Sequence, residues 1–221
     1  MCKRPCVKPL PAQGLFSWTA MLILGITGGI ATGKSTVTRM LADLGAPTVS
    51  ADALAHDLLA PGTTATQTVL AAFPDCADPG DPKGQTIDRR ALGRLVFADT
   101  AARARLEALT HPAIIGALRA QIALWRASDE ALAAAAEIPL LFEANLERMV
   151  DRIVVVTCSR SDQIARMLAR GRSGEEVHRQ LAAQWPLAQK EARADYLITT
   201  ADLDTGMEST RRQVEALWKT L

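Results

Sequence analysis

The stretch Ile26-Thr-Gly-Gly-Ile-Ala-Thr-Gly-Lys34-Ser35-Thr36 decides how this chain is read. From Gly28 to Ser35 it fits G-x-x-x-x-G-K-[ST], with the apolar run Met21 to Ile26 before it and the helix-patterned Val37 to Leu44 after it. Glycine lets the main chain turn tightly enough for successive N–H groups to face one anion, and the helix behind adds the positive end of its dipole. Gly29, Ile30, Ala31, Thr32, Gly33, Lys34, Ser35 and Thr36 are therefore expected to cradle the phosphates of a nucleotide. Lys34 would reach the β and γ phosphates, and the Ser35 hydroxyl would complete a Mg²⁺ shell.

The 221 residues, 48% of them hydrophobic, suffice for one good-sized core with a lobe or insertion besides. With 25 Lys and Arg against 24 Asp and Glu, no net field draws the protein onto nucleic acid or an acidic membrane. Cys2, Cys6, Cys76 and Cys158 form no C-x-x-C pair and have no His at metal-ligand spacing, which points to reduced thiols in a cytoplasmic protein. The window Leu15 to Ile30 is cut by Ser17, Thr19, Gly25, Thr27, Gly28 and Gly29, short of the roughly 18 consecutive apolar residues of a membrane span. It reads as a buried strand. Nothing in the sequence points to an obligate protein partner.

Working outward, Gly45 is a plausible helix stop and Pro47 to Ser50 a short second strand, so the chain opens as a βαβ unit of a parallel sheet. Ligands of such sheets collect beyond the carboxyl ends of the strands, which makes Asp52 the first catalytic candidate. Its residue type would equally suit a helix N-terminus ahead of Ala53 to Leu59. From Leu54 to about Glu130 the pattern is mostly helical, broken by Pro61-Gly62 and by the turn-rich Phe73 to Gly84, and is assigned to an inserted lobe. Asp81-Pro-Lys-Gly84 formally fits the D-x-x-G of GTPases, but it follows no strand and no N-K-x-D occurs, which sets that reading aside. The run Ala131 to Ala136 has helical propensity. Arg152 to Thr157 is a buried strand rich in β-branched residues. Ser161 could cap the next helix, where Gln163, Arg166 and Arg170 share a face by their spacing. Gly171-Arg-Ser-Gly174 then breaks it, Glu175 to Gln184 forms a second helix, and this basic hairpin, about 160–185, is a candidate lid. Ala194 to Thr199 reads as a last strand and Thr205 to Trp218 as a closing amphipathic helix.

In this order the chain resembles the dephospho-coenzyme A kinases, from Met21 to about Trp218. The likeness is carried by Gly28-Gly-Ile-Ala-Thr-Gly-Lys-Ser-Thr36, Ala51-Asp52, Asp88-Arg89-Arg-Ala-Leu92 with Val96-Phe97, Leu106-Glu107, His111-Pro112, Glu137-Ile-Pro-Leu-Leu-Phe-Glu143, Gln163 with Arg166 and Arg170, Gln184, and Ala194-Asp-Tyr196. The phosphate loop is shared by many kinases; the Pro-Leu-Leu-Phe-Glu run and the His-Pro pair are far more specific. The resemblance implies an α/β fold with a parallel-sheet P-loop kinase core between helices (21–52 and 131–221), an inserted helical substrate lobe (about 53–130) and a helical lid. It also places a strand near Glu137 to Glu143.

The implied reaction moves the γ-phosphoryl group of ATP to the ribose 3′-hydroxyl of dephospho-coenzyme A, the last step of coenzyme A biosynthesis. The resemblance further implies that Asp52 orients and deprotonates that hydroxyl, that Glu137 holds magnesium through water, and that Arg166 and Arg170 close over the phosphates. Arg89, His111, Leu140 and Glu143 fall to the acceptor side, Arg89 either positioning a helix or touching the substrate, with a structural part for His111 and Glu143 left open. Ser50 stands where many relatives carry an acid, and Thr199-Thr-Ala-Asp202 replaces an asparagine-containing segment on which the adenine usually rests. Another small-molecule or nucleoside monophosphate kinase, or a nucleotide-binding module without turnover, would share the loop; swapping acceptors in an ADP-release assay separates these.

Residues 1–20 carry Lys3, Arg4 and Lys8 with three prolines and no clean signal-peptide pattern, so they are expected to be a loose extension. Because Met21 directly precedes the strand feeding the loop, translation is expected to start there, and mass spectrometry of the native N-terminus should find no peptide from residues 1–20.

Overall fold

The computed structural model describes residues 21–128, 131–200 and 206–221, so the expected extension 1–20 and part of the Thr199 to Asp202 segment lie outside the described residues. The described residues divide into two compact units: the first lies within 21–50 and 122–221, the second is 51–121.

The first unit is built on β1 (Leu22–Gly28), which runs into the loop and then α1 (Lys34–Asp43). Short β2 (Thr48–Ser50) follows; β3 (Ala133–Glu137), β4 (Arg152–Thr157) and β5 (Tyr196–Thr199) complete a sheet of order β2-β3-β1-β4-β5, all pairs parallel. Successive strand residues point to opposite faces, and one face is apolar on four adjacent strands: Leu24 and Ile26, Ala133 and Ala135, Val154 and Val156, Tyr196 and Ile198. Onto it pack Val37, Met40 and Leu41 of α1 and Val214 and Leu217 of the last helix (Met207–Trp218). Each such side chain contributes about 1.5–3 kcal/mol by leaving water.

The alanine run is strand, not helix. Its backbone is bonded on one side to β1 and on the other to β2, and this pairing overrides helix propensity. The strand expected near Glu137 ends at that residue: Ile138 N still donates to Ile26 O at 2.9 Å, but Pro139 has no N–H for a ladder and turns follow.

The second unit holds α2 (Ala51–Leu58), α3 (Thr64–Ala72), a 3₁₀ turn (Pro74–Cys76), α4 (Arg89–Ala98) and most of α5 (Thr100–Arg126). Val69, Phe73, Cys76, Ile87, Leu92 and Ala102 form its core. Asp81, which only formally fitted a GTPase motif, accepts from the Lys83 and Gln85 amides and the Thr86 hydroxyl, and these bonds hold its carboxyl below the usual range. His111 lies inside α5, where Pro112 removes the donor that would meet the Ala108 carbonyl.

Back in the first unit, α6 (Arg160–Ala169) is capped by Ser159, not Ser161, the Ser159 hydroxyl accepting from the Asp162 amide at 3.0 Å. A capping box of Ser173 and Glu176 starts α7 (Gly174–Ala182), and the short helix α8 (Leu187–Glu191), unsignalled in the sequence, precedes β5; the closing helix is α9.

Gly28 closes β1 at φ +150°, and a Cβ there would sit 2.2 Å from the Val156 carbonyl oxygen of its neighbouring strand. A Gly28→Ala variant is expected to lose about 1–3 kcal/mol of stability in urea unfolding. Gly93, inside α4 with open space around it, should gain about 0.5–1 kcal/mol on replacement by Ala. Equal responses of the two would contradict this account of the strand packing.

Candidate active site

The loop between β1 and α1 follows a path few residues tolerate. Gly28 and Gly33 have φ of +150° and +92°, and Ala31, with a side chain, sits at +58°. A non-glycine residue in that region costs of order 1–3 kcal/mol and persists only where its surroundings hold it. They do so through the loop's carbonyls. Gly28 O is met by Lys190 Nζ at 3.4 Å, and Gly29 O by Lys34 Nζ at 2.8 Å and Thr32 Oγ1 at 2.9 Å. Ile30 O accepts from Gln163 Nε2 at 2.8 Å, Ala31 O from an Arg166 Nη at 3.1 Å, and Thr32 O from Thr200 Oγ1 at 2.7 Å. Ile30 N donates to Gln184 Oε1 at 2.9 Å. The side chains of Ile30 and Ala31 pack with Ile164, Met167, Val177 and Leu181, so α6 and α7 lie against the loop. Gly29 and Gly33 are needed because a Cβ would stand 2.4 Å from Gln163 Nε2 and 3.2 Å from Thr200 Cγ2.

Ser35, in the first turn of α1, donates through Oγ to Glu137 Oε1 at 2.9 Å. Glu137 ends β3 in register with Ile26 and Ser50 and is only 4% exposed. A hydroxyl and a buried carboxylate are hard oxygen donors of the kind magnesium takes, and a magnesium ion on a nucleotide needs few protein ligands because phosphates and waters supply the rest. The pair fits that ion; among the described residues no group of three His, Cys, Asp or Glu side chains could hold a cation alone.

Arg166 is buried, its Nη donating also to Thr200 Oγ1 at 3.1 Å, beside Cys158. Burial pushes the Cys158 thiol up, while the nearby Arg166 guanidinium pulls the other way. Arg170, expected on the same face, is the exposed C-cap of α6, so burial separates it from Gln163 and Arg166.

Beyond β3, half-buried Leu140 accepts through its carbonyl from the Ala144 amide at 2.9 Å. Glu143 Oε1 takes the Trp185 amide at 3.0 Å and the ammonium of wholly buried Lys190 at 2.8 Å. Phe142 stacks on Trp185 at 5.9 Å between centroids, with the Arg193 guanidinium 4.8 Å over the indole.

In the second unit, exposed Asp52 stands in the first turn of α2, two residues after β2 ends. Arg89 engages the far end of that helix, one Nη donating to His56 Nδ1 at 2.8 Å and the other to the carbonyls of His56 and Leu59, both at 3.1 Å. A guanidinium has no acceptor, so His56 Nδ1 accepts. Half-buried His111 lies mid-helix in α5. Sequence reasoning missed Lys190 and Thr200: a lysine in a five-residue helix and one threonine of a pair carry no periodicity or motif that would single them out.

With this geometry in hand, comparison with known proteins is direct. The sequence profile of the family described as Dephospho-CoA kinase matches residues 22–204. A Dephospho-CoA kinase of Geobacter metallireducens is 46% identical over 206 residues, covering 90% of this chain and 96% of that protein. One of Symbiobacterium thermophilum is 42% identical over 202 residues, covering 90% and 81%. The crystal structure of TT1252 from Thermus thermophilus matches with a TM-score of 0.74 at 32% identity, covering 91% of this chain and 98% of that one. On the ordered motifs, the parallel sheet with its phosphate loop, and these likenesses, the chain belongs to the dephospho-CoA kinase family.

Proposed function

We propose that this chain transfers the γ-phosphoryl group of ATP to the ribose 3′-hydroxyl of dephospho-CoA, giving CoA and ADP, in the cytoplasm. The observation that carries the reading is the Ser35 to Glu137 contact at the head of α1, next to a loop whose carbonyls are all engaged from the protein side. Phosphoryl transfer spreads charge over the moving group's oxygens, so the protein's task is to position and neutralise. Residues 29–36 bind the phosphates, Lys34 leaving the Gly29 carbonyl for the β and γ oxygens. Arg166 supplies fixed positive charge behind the loop, where its bonds to Ala31 O and Thr200 hold it in place. Arg170, exposed at the end of α6, closes over the phosphates from the solvent side with residues 160–185. Ser35 and Glu137 would hold Mg²⁺, which would supply positive charge to offset that of the nucleotide phosphates.

On the acceptor side, Asp52 orients the 3′-hydroxyl and takes its proton late, as suits a weak carboxylate base. Arg89 serves by anchoring the end of the helix that carries Asp52, since its fork is occupied by His56 and Leu59. Leu140 and Glu143, and separately His111, are assigned to the acceptor on the resemblance alone.

Incubation with Mg-ATP and dephospho-CoA is expected to yield CoA and ADP. Nucleoside monophosphates should raise ADP release no further than the acceptor-free background. Asp52→Asn should cut kcat by about 10²–10⁴ with nucleotide affinity kept, measured in the same coupled assay. Lys34→Ala should lose activity far beyond any change in unfolding midpoint, since a half-exposed lysine buries little apolar area. ATP binding with no turnover, unchanged in Asp52→Asn, would instead mark a binding module.

A further inference from the structure

Lys190 is a wholly buried cation far from the glycine motif in sequence. An ammonium has three N–H donors and no acceptor, and here three oxygens surround it: Glu143 Oε1 at 2.8 Å, Pro139 O at 3.3 Å and Gly28 O at 3.4 Å. These belong to separate parts of the site. Gly28 O is the carbonyl at which β1 turns into the phosphate loop; Pro139 and Glu143 bracket the segment after β3. Pro139 O also accepts from Thr27 Oγ1 at 3.2 Å, and Glu143 Oε1 from the Trp185 amide, one residue beyond the Gln184 side chain that takes the Ile30 amide. The next residue of the same short helix, Glu191, accepts from Thr157 Oγ1 at the end of β4. Helix α8 is therefore tied to the carboxyl ends of β1, β3 and β4 at once.

We infer that Lys190 is a positioning residue for phosphoryl transfer: its ammonium fixes the Gly28 peptide, and with it the loop's entry, to the segment Pro139 to Glu143. A peptide is planar and trans, so holding the Gly28 carbonyl also fixes the direction of the Gly29 N–H. Gly28, the last residue of β1, has no side chain to restrict the rotation that aims its carbonyl, so the partner of that carbonyl helps to set it. The competing account gives Lys190 only the duty of neutralising Glu143. That duty exists, because Glu143 Oε2 is buried with no hydrogen-bond partner and the carboxylate would be stranded without a cation. It does not explain why two carbonyls complete the ammonium's shell.

The two accounts separate in a pair of variants, read by ATP affinity in titrations without acceptor and by melting temperature. Lys190→Met is expected to lower the melting temperature, since it strands Glu143, and to weaken ATP binding about tenfold or more, the scale of one charge-assisted contact. Lys190→Met with Glu143→Gln removes the stranded charge. Melting temperature should recover while ATP affinity stays weak, and kcat should fall with it. Recovery of both in the double variant would overturn the positioning role, as would wild-type ATP affinity in Lys190→Met. The inference rests on reading the loop as an ATP cradle: a wild-type protein that fails to bind ATP would sink that reading and the clamp with it, whereas wild-type binding matched by the variants sinks the clamp alone.

Discussion

Everything at this site depends on one constraint: a backbone carbonyl and the following N–H point in opposite directions across a planar peptide. A loop meant to present N–H groups to an anion must turn its carbonyls away from that anion, and turned carbonyls need donors. Between Gly28 and Thr32 this chain supplies one for each, from Lys190, Lys34 with Thr32, Gln163, Arg166 and Thr200. Besides Thr32 of the loop itself, the donors come from α1, α6, α8 and the residue after β5, so a motif running only from Gly28 to Ser35 is shaped by chain more than a hundred residues away. The left-handed Ala31 is the mark of that outside control, because nothing local favours it.

This division explains which parts were legible in the sequence. The glycine motif, the β-branched Arg152 to Thr157 and the amphipathic last helix announce themselves because their signals are local: turn chemistry, strand propensity and a 3.6-residue period. The alanine strand does not, since its only reason to be extended is a neighbour on each side. At His111-Pro112 α5 continues through a proline, a residue that usually ends a helix. Gln163 stood out by its helical spacing and Gln184 only through the likeness to a family; the structure gives them a physical task, one meeting the carbonyl and the other the amide of Ile30. Arg166 and Arg170 looked equivalent on a helical wheel. The last turn of α6 separates them, one buried against the loop and the other in solvent at the cap.

Arg89 teaches a similar lesson. An arginine in a motif invites assignment to a phosphate, because its planar fork suits one. Here the fork is spent on a histidine nitrogen and two carbonyls at the end of α2, whose last turn would otherwise leave those acceptors without partners. Of the two parts the sequence leaves open for Arg89, these contacts favour the one that positions a helix.

The distribution of buried polar groups makes the case for the site independently of any likeness. Along the sheet the interior is Ile23, Leu24, Ile26, Ala133 to Ala136 and Val154 to Val156, groups whose burial stabilises without conditions. At the carboxyl ends the buried set changes to Thr27, Thr32, Glu137, Gln163, Arg166, Lys190 and Thr200. Each of these costs desolvation that its hydrogen bonds at best offset, and apolar replacements of similar volume are often neutral or stabilising for a fold. A core selected for stability alone has no reason to gather them at one rim. Their concentration around five loop carbonyls and one serine hydroxyl means that stability is given up there to hold a backbone conformation, and the conformation held is the one an anion requires.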